Sequence, residues 1–160
     1  MIIINKPTKE DLEMVRKILL QWTEKSEADK YIDRIKKEIG GTTEFNMHFW
    51  VAKNNGKAIG VVGLADPLPK VLPLAKTKNP GELKILYLYK KEQGKGIGKF
   101  LVDFVEEQAK KQGYSELLVR SAERYRDTAY GFYKNMGYKT IGVVSGSEKS
   151  KLMQVFSKKL

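Results

Sequence analysis

Apolar residues along the chain alternate between two rhythms. Leu12, Val15, Ile18, Leu19 and Trp22 recur at helical spacing, and Thr8 is placed to cap that helix with Asp11 in its first turn. Tyr31, Ile32, Ile35 and Ile39 mark a second helix from about Glu27 to Ile39, closed by Gly40-Gly41. A third helix, Ile97 to Lys111, is stopped by Gly113, and a fourth, Asp127 to Met136, by Gly137. Strand-like runs lie between them at Ile2–Asn5, Phe45–Lys53, Lys57–Ala65, Glu82–Lys90, Ser115–Arg120, Tyr138–Val144 and Leu152–Ser157. Asn54-Asn55-Gly56 reads as a hairpin turn. Asp66–Gly81 has four prolines, three lysines and no period, so it is expected to be a long loop, either functional or mobile. The pattern predicts an α/β (α+β) chain with one domain over residues 1–160 and no internal repeat.

One junction carries chemistry. Gln93-Gly94-Lys95-Gly96-Ile97-Gly98-Lys99 follows a strand and opens a helix. A glycine-rich turn there leaves backbone N–H groups facing outward at the positive end of a helix dipole, a phosphate-binding arrangement. A dinucleotide fingerprint needs glycine three places after Gly96, where Lys99 stands. A P-loop needs serine or threonine after Gly98-Lys99, where Phe100 stands. Neither fits. Gln-x-x-Gly-x-Gly, at Gln93, Gly96 and Gly98, does.

Composition narrows the choices. The chain of 160 residues has no cysteine, which excludes disulfides, a thiol nucleophile and cysteine-ligated metal. With one histidine, His48, a histidine-built metal site is not expected. No apolar run is long enough to span a bilayer, and the short apolar start does not read as a signal peptide, so a cytoplasmic setting is expected. The net charge of +11 suits an anionic ligand. It suits nucleic acid as well, but no aromatic–arginine interleaving supports that partner.

The Gln93–Gly98 pattern resembles the pyrophosphate loop of the GCN5-related N-acetyltransferases, the GNAT family. Ala129-Tyr130-Gly131-Phe132-Tyr133-Lys134-Asn135-Met136-Gly137-Tyr138 matches that family's Ala-x-x-Phe-Tyr-x-x-x-Gly-Phe/Tyr segment. The order of elements agrees over nearly the whole chain. The resemblance implies a mixed, mostly antiparallel sheet with a splayed pair of parallel strands, flanked by helices. It also implies acetyl-CoA as co-substrate, without a metal, and a small-molecule or peptide amine as acceptor.

On this resemblance Gln93, Gly94, Lys95, Gly96, Ile97, Gly98 and Lys99 hold the pyrophosphate of coenzyme A. Leu86, Tyr87 and Leu88 pair with the pantetheine arm, and the Leu88 N–H faces the thioester oxygen. Tyr133 protonates the leaving thiolate: a phenol with pKa near 10 stays protonated where a thiol of about 8.5 is being formed. Glu82, at the start of the central strand, is the candidate base, with Glu44 and Asp66 behind it. Arg126 stands where many members carry asparagine, and Lys134 follows Tyr133; both are candidate coenzyme contacts. Arg120, Arg124 and Arg126 suggest an acceptor that also carries a negative group. A homodimer is compatible with the chain. Two alternatives stay open: a coenzyme A-binding regulatory domain without catalysis, and a basic nucleic-acid-binding module.

Overall fold

The computed structural model describes residues 1–146 and 152–160. Seven strands, β1 (Ile2–Asn5), β2 (His48–Asn54), β3 (Lys57–Ala65), β4 (Pro80–Leu88), β5 (Glu116–Ala122), β6 (Lys139–Ser145) and β7 (Leu152–Lys159), form one mixed sheet in the order β1-β2-β3-β4-β5-β7-β6. β4 and β5 are parallel, while β1–β2, β2–β3, β5–β7 and β6–β7 are antiparallel. The helices are α1 (Leu12–Trp22), α2 (Lys25–Ile39), α3 (Ile97–Lys111) and α4 (Ala129–Asn135). The described chain falls into two units, residues 1–65 with 84–105 and residues 66–83 with 106–160.

In the first unit, the apolar stripes of α1 and α2 close over β2 and β3. Val15, Ile18, Leu19 and Ile35 are fully buried with Phe49, Val51 and Val61. The chain enters α1 through a short 3-10 turn at Lys9–Asp11, where the Asp11 carboxylate accepts from the Thr8 N–H at 2.8 Å and from Lys53 at 3.0 Å. The β2–β3 hairpin turns at Asn55 and Gly56, with φ of 51° and 78°, the pair of positive angles that a two-residue turn of this hand requires. Phe45–Met47, expected as strand, is a turn instead. Phe45 and Asn46 both have positive φ, and two such residues in succession turn the chain out of the extended conformation.

In the second unit, β5 pairs with β7 along its whole length, from Glu116↔Lys159 to Ala122↔Met153. β4 begins at Pro80, two residues earlier than the pattern suggests. It runs beside β5 from Pro80↔Glu116 to Leu83↔Val119. Gly81 permits this start, because a Cβ there would meet the Tyr114 ring at 2.8 Å. Residues 66–79 have one short 3-10 turn, Leu72–Leu74, but they are not loose. Val71 is buried with Leu118 and Val155. The fully buried Glu116 carboxylate accepts from the Lys76 and Thr77 N–H groups, both at 2.9 Å, and from the hydroxyls of Thr77 and Ser157. Buried backbone donors must find acceptors, and here one side chain serves a segment that has no ladder of its own. The helix expected at Asp127–Met136 is shorter, Ala129–Asn135, and follows a 3-10 turn at Glu123–Tyr125.

Removing the Glu116 carboxylate leaves those donors buried and unpaired. Glu116→Ala is expected to destabilise the protein by roughly 2–4 kcal/mol in urea unfolding, with a smaller loss for Glu116→Gln, which keeps one acceptor.

Candidate active site

The first unit supplies the strand, loop and helix start. β4 is buried from Pro80 to Lys84 and half-buried from Ile85 to Leu88. The change falls at Ile85, whose φ of 40° is rare for a β-branched residue and breaks the regular pleat. Beyond it, Tyr89 N–H donates to the Ile59 carbonyl at 2.8 Å, so Tyr89 faces β3. By strand alternation the Leu88 N–H and C=O point to the opposite edge. The Leu88 side chain lies over Gly60, where a Cβ would stand 2.8 Å from it.

The loop then turns through Gly94 and Gly96, with φ of 77° and 82°, and no atom lies within 4 Å of where a Cβ would be at either. Ile97 is buried and anchors the first turn of α3. The first bond into the helix runs from Phe100 N–H to the Gly96 carbonyl at 3.1 Å, which leaves the earlier N–H groups without helical acceptors. Lys95 pairs with Glu92 at 3.1 Å and Lys99 with Asp103 at 2.9 Å. Both lysines are exposed, so neither pair is strong enough to withhold its ammonium from an incoming phosphate.

The second unit holds the other candidates. Tyr133 is buried on α4, its ring against Phe132, Tyr138 and Phe156 at centroid distances of 5.3–5.8 Å. Burial alone pushes its phenol well above the ordinary tyrosine value. Lys134, the next residue, is exposed. Glu82 is almost wholly buried: one carboxylate oxygen accepts from Leu68 N–H at 3.0 Å, and the other from Arg120 Nε at 2.6 Å. The secondary carboxylates are also occupied, Asp66 by the Tyr114 hydroxyl at 2.6 Å and Glu44 by Lys37 at 2.6 Å. Of the three arginines, Arg120 pairs with Glu82, exposed Arg126 pairs with Glu123, and Arg124 lies 4.8 Å over the Tyr125 ring.

Residues Leu86–Lys99 are therefore gathered in one continuous run of the first unit, and Glu82, Arg120, Arg126, Tyr133 and Lys134 belong to the second. Trp22 went unread as anything but core. Its indole N–H donates to the Leu88 carbonyl at 2.7 Å. The legible signal is a tryptophan at the end of an amphipathic helix, because a buried indole N–H requires an acceptor.

These features match known proteins. The model of the Acetyltransferase (GNAT) family matches residues 12–138. Human N-acetyltransferase 8B is 35% identical over 100 residues, 62% of this chain and 42% of that protein. Rat N-acetyltransferase family 8 member 3 is 33% identical over 95 residues, 59% of this chain and 39% of that protein. The chain thus spans about two fifths of the length of these two relatives. Among solved structures, the paia N-acetyltransferase of Thermoplasma acidophilum in complex with coenzyme A superposes with a TM-score of 0.69 at 21% identity, covering 100% of this chain and 99% of that one. Ard1 of Thermoplasma volcanium gives 0.78 at 15% identity, covering 99% and 97%. The chain belongs to the GNAT family of acetyltransferases. Among the described residues, no helix is long and apolar enough to cross a membrane.

The Glu82–Arg120 pair yields a stability test. Glu82→Ala leaves a guanidinium that is only 16% exposed without its partner. Unfolding free energy is expected to fall by about 3–5 kcal/mol, while Arg120→Ala and the double variant show the coupling directly in a double-mutant cycle.

Proposed function

We propose that the protein transfers the acetyl group of acetyl-CoA to a primary amine in the cytoplasm by direct attack. The observation that carries this is the loop Gln93–Lys99: two glycines at positive φ, open space in front of both, and a buried Ile97 fixing the helix that follows. The loop's N–H groups and the α3 dipole would hold the pyrophosphate, with Lys95 and Lys99 adding charge. The edge of β4 at Leu86–Leu88 would take the pantetheine arm, the Leu88 N–H polarising the thioester carbonyl. Arg126 and Lys134 are the further proposed coenzyme contacts.

In the reaction the amine nitrogen attacks the thioester carbon. A C–N bond forms, the C–S bond breaks, and the sulfur receives a proton from the Tyr133 hydroxyl. A phenol pushed upward by burial stays protonated through neutral pH, so the proton is present to be donated. Glu82 was the expected base, but its oxygens are committed to Leu68 and Arg120. We assign it the role of holding that segment, and the amine's proton passes to water. An acceptor with a negative group was expected from the arginines. With Arg120 and Arg126 each paired to a carboxylate, the proposal stops at a primary amine.

Gly96→Val places a branched side chain at a positive φ and in the space before the loop. It is expected to abolish the rise in melting temperature that acetyl-CoA gives the wild type, about 2.7 kcal/mol of stabilisation at a hundredfold excess over Kd. A variant that binds coenzyme A normally would show that the loop does not hold the donor.

Tyr133→Phe keeps the packing and is expected to lower kcat at least tenfold with little change in donor affinity. The sign of the pH dependence follows from the upward shift. A general acid loses activity only as pH rises through its pKa, so kcat in the wild type should show no descending limb from Tyr133 below about pH 10. Glu82→Gln separates the two roles of that residue: an unchanged acidic limb in kcat/KM excludes Glu82 as the base, and loss of the limb restores it.

A further inference from the structure

Four contacts join the last turn of α1 to the end of β4 and the residues just after it, all within the first unit. Trp22 Nε1 donates to the Leu88 carbonyl at 2.7 Å, and its ring stacks on Tyr87 with centroids 6.2 Å apart and planes 17° from parallel. The Lys90 ammonium sits 5.0 Å above the indole, and the Lys90 N–H donates to the Gln21 side-chain oxygen at 2.9 Å. The three β4-side residues, Tyr87, Leu88 and Lys90, lie between the irregular Ile85 and the glycine loop.

Among the described residues β4 pairs with β5 from Pro80 to Leu83, and Leu88 lies beyond that ladder with its carbonyl on the edge opposite β3. The peptide that follows Leu88 is held on one side by its N–H on the Ile59 carbonyl and on the other by the indole on its own carbonyl, and the two bonds together set the direction of the strand into the loop. A carbonyl oxygen has two lone pairs, so the indole takes one and leaves the other for an amide N–H. We infer that Trp22 is a positioning residue for the donor: it holds the Leu88 peptide in the orientation in which β4 pairs with the amide-bearing arm of acetyl-CoA. This rests on the reading that the β4 edge takes that arm. Preorganisation of this kind improves binding by lowering the ordering cost of the protein, without adding a contact to the ligand.

The test uses two ligands. Acetyl-CoA carries the arm, and adenosine 3′,5′-bisphosphate carries nucleotide phosphates without it. Trp22→Phe retains an aromatic ring against Tyr87 and loses the indole N–H together with part of the ring's area, a packing loss that the second ligand controls for. It is expected to raise KM for acetyl-CoA roughly three- to tenfold, the scale of one hydrogen bond, with kcat within about twofold. Affinity for adenosine 3′,5′-bisphosphate should not change. Equal losses for both ligands would mean a general loosening and overturn the inference, as would no loss for either. A second measurement leaves Trp22 in place. In a Trp50→Phe background, the one remaining indole is expected to change its emission with acetyl-CoA and not with the bisphosphate. Identical responses to both ligands overturn the inference. If the wild type binds neither ligand, the donor reading falls and this inference with it; if it binds both and Trp22→Phe behaves as wild type, only the inference falls.

Discussion

Isoleucine in a left-handed backbone conformation is a costly thing to keep in the middle of a sheet, on the order of 1–3 kcal/mol. Ile85 does so at φ 40° in β4. Before it, the strand is buried and runs parallel to β5; after it, the strand is half-buried and leads to the glycine loop. One strand is thereby asked to be a core element and an open edge. The irregularity persists because each half is pinned separately: Glu82 by Arg120 and Leu68, and Leu88–Lys90 by Ile59, Trp22 and Gln21. The proposed donor site begins where the pleat is broken.

The elements that proved easiest to read were those whose side chains alone decide them. α3 begins at Ile97 and ends at Lys111 as its periodicity and Gly113 dictate, and the Asn55-Gly56 turn has the dihedrals its residues favour. β1 and β3 also carry the expected ends. Phe45–Met47 was misread because aromatic and apolar residues look strand-like, whereas the positive φ of Phe45 and Asn46 has no side-chain signature of its own beyond the asparagine. The start of β4 was misread because proline argued against a strand; Pro80 sits at the first position, where the missing N–H costs least.

The site was legible in part. Gln93–Lys99 announces itself through glycine spacing, and Tyr133 through its segment. The state of each carboxylate was not legible, because pairing across the fold is invisible in a string. Glu82 looks available as a strand-end residue, yet it is buried against Arg120, thirty-eight positions away. The same pairing removes Arg120 from the ledger of free positive charge that composition suggested. Trp22 illustrates the reverse case: it lies on an apolar stripe, but its polar atom is what joins α1 to β4.

Residues 66–79 are fastened by side chains such as Val71 and Asp66 and also through their main chain. Leu68, Lys76 and Thr77 offer N–H groups, and the carboxylates that receive them, Glu82 and Glu116, sit on the sheet. The main-chain part of that fastening does not depend on which side chains the segment displays, since every residue except proline carries the same donor. A change at one of its exposed positions leaves those bonds in place, whereas loss of either sheet glutamate removes them, so the surface presented there can be altered separately from the scaffold beneath.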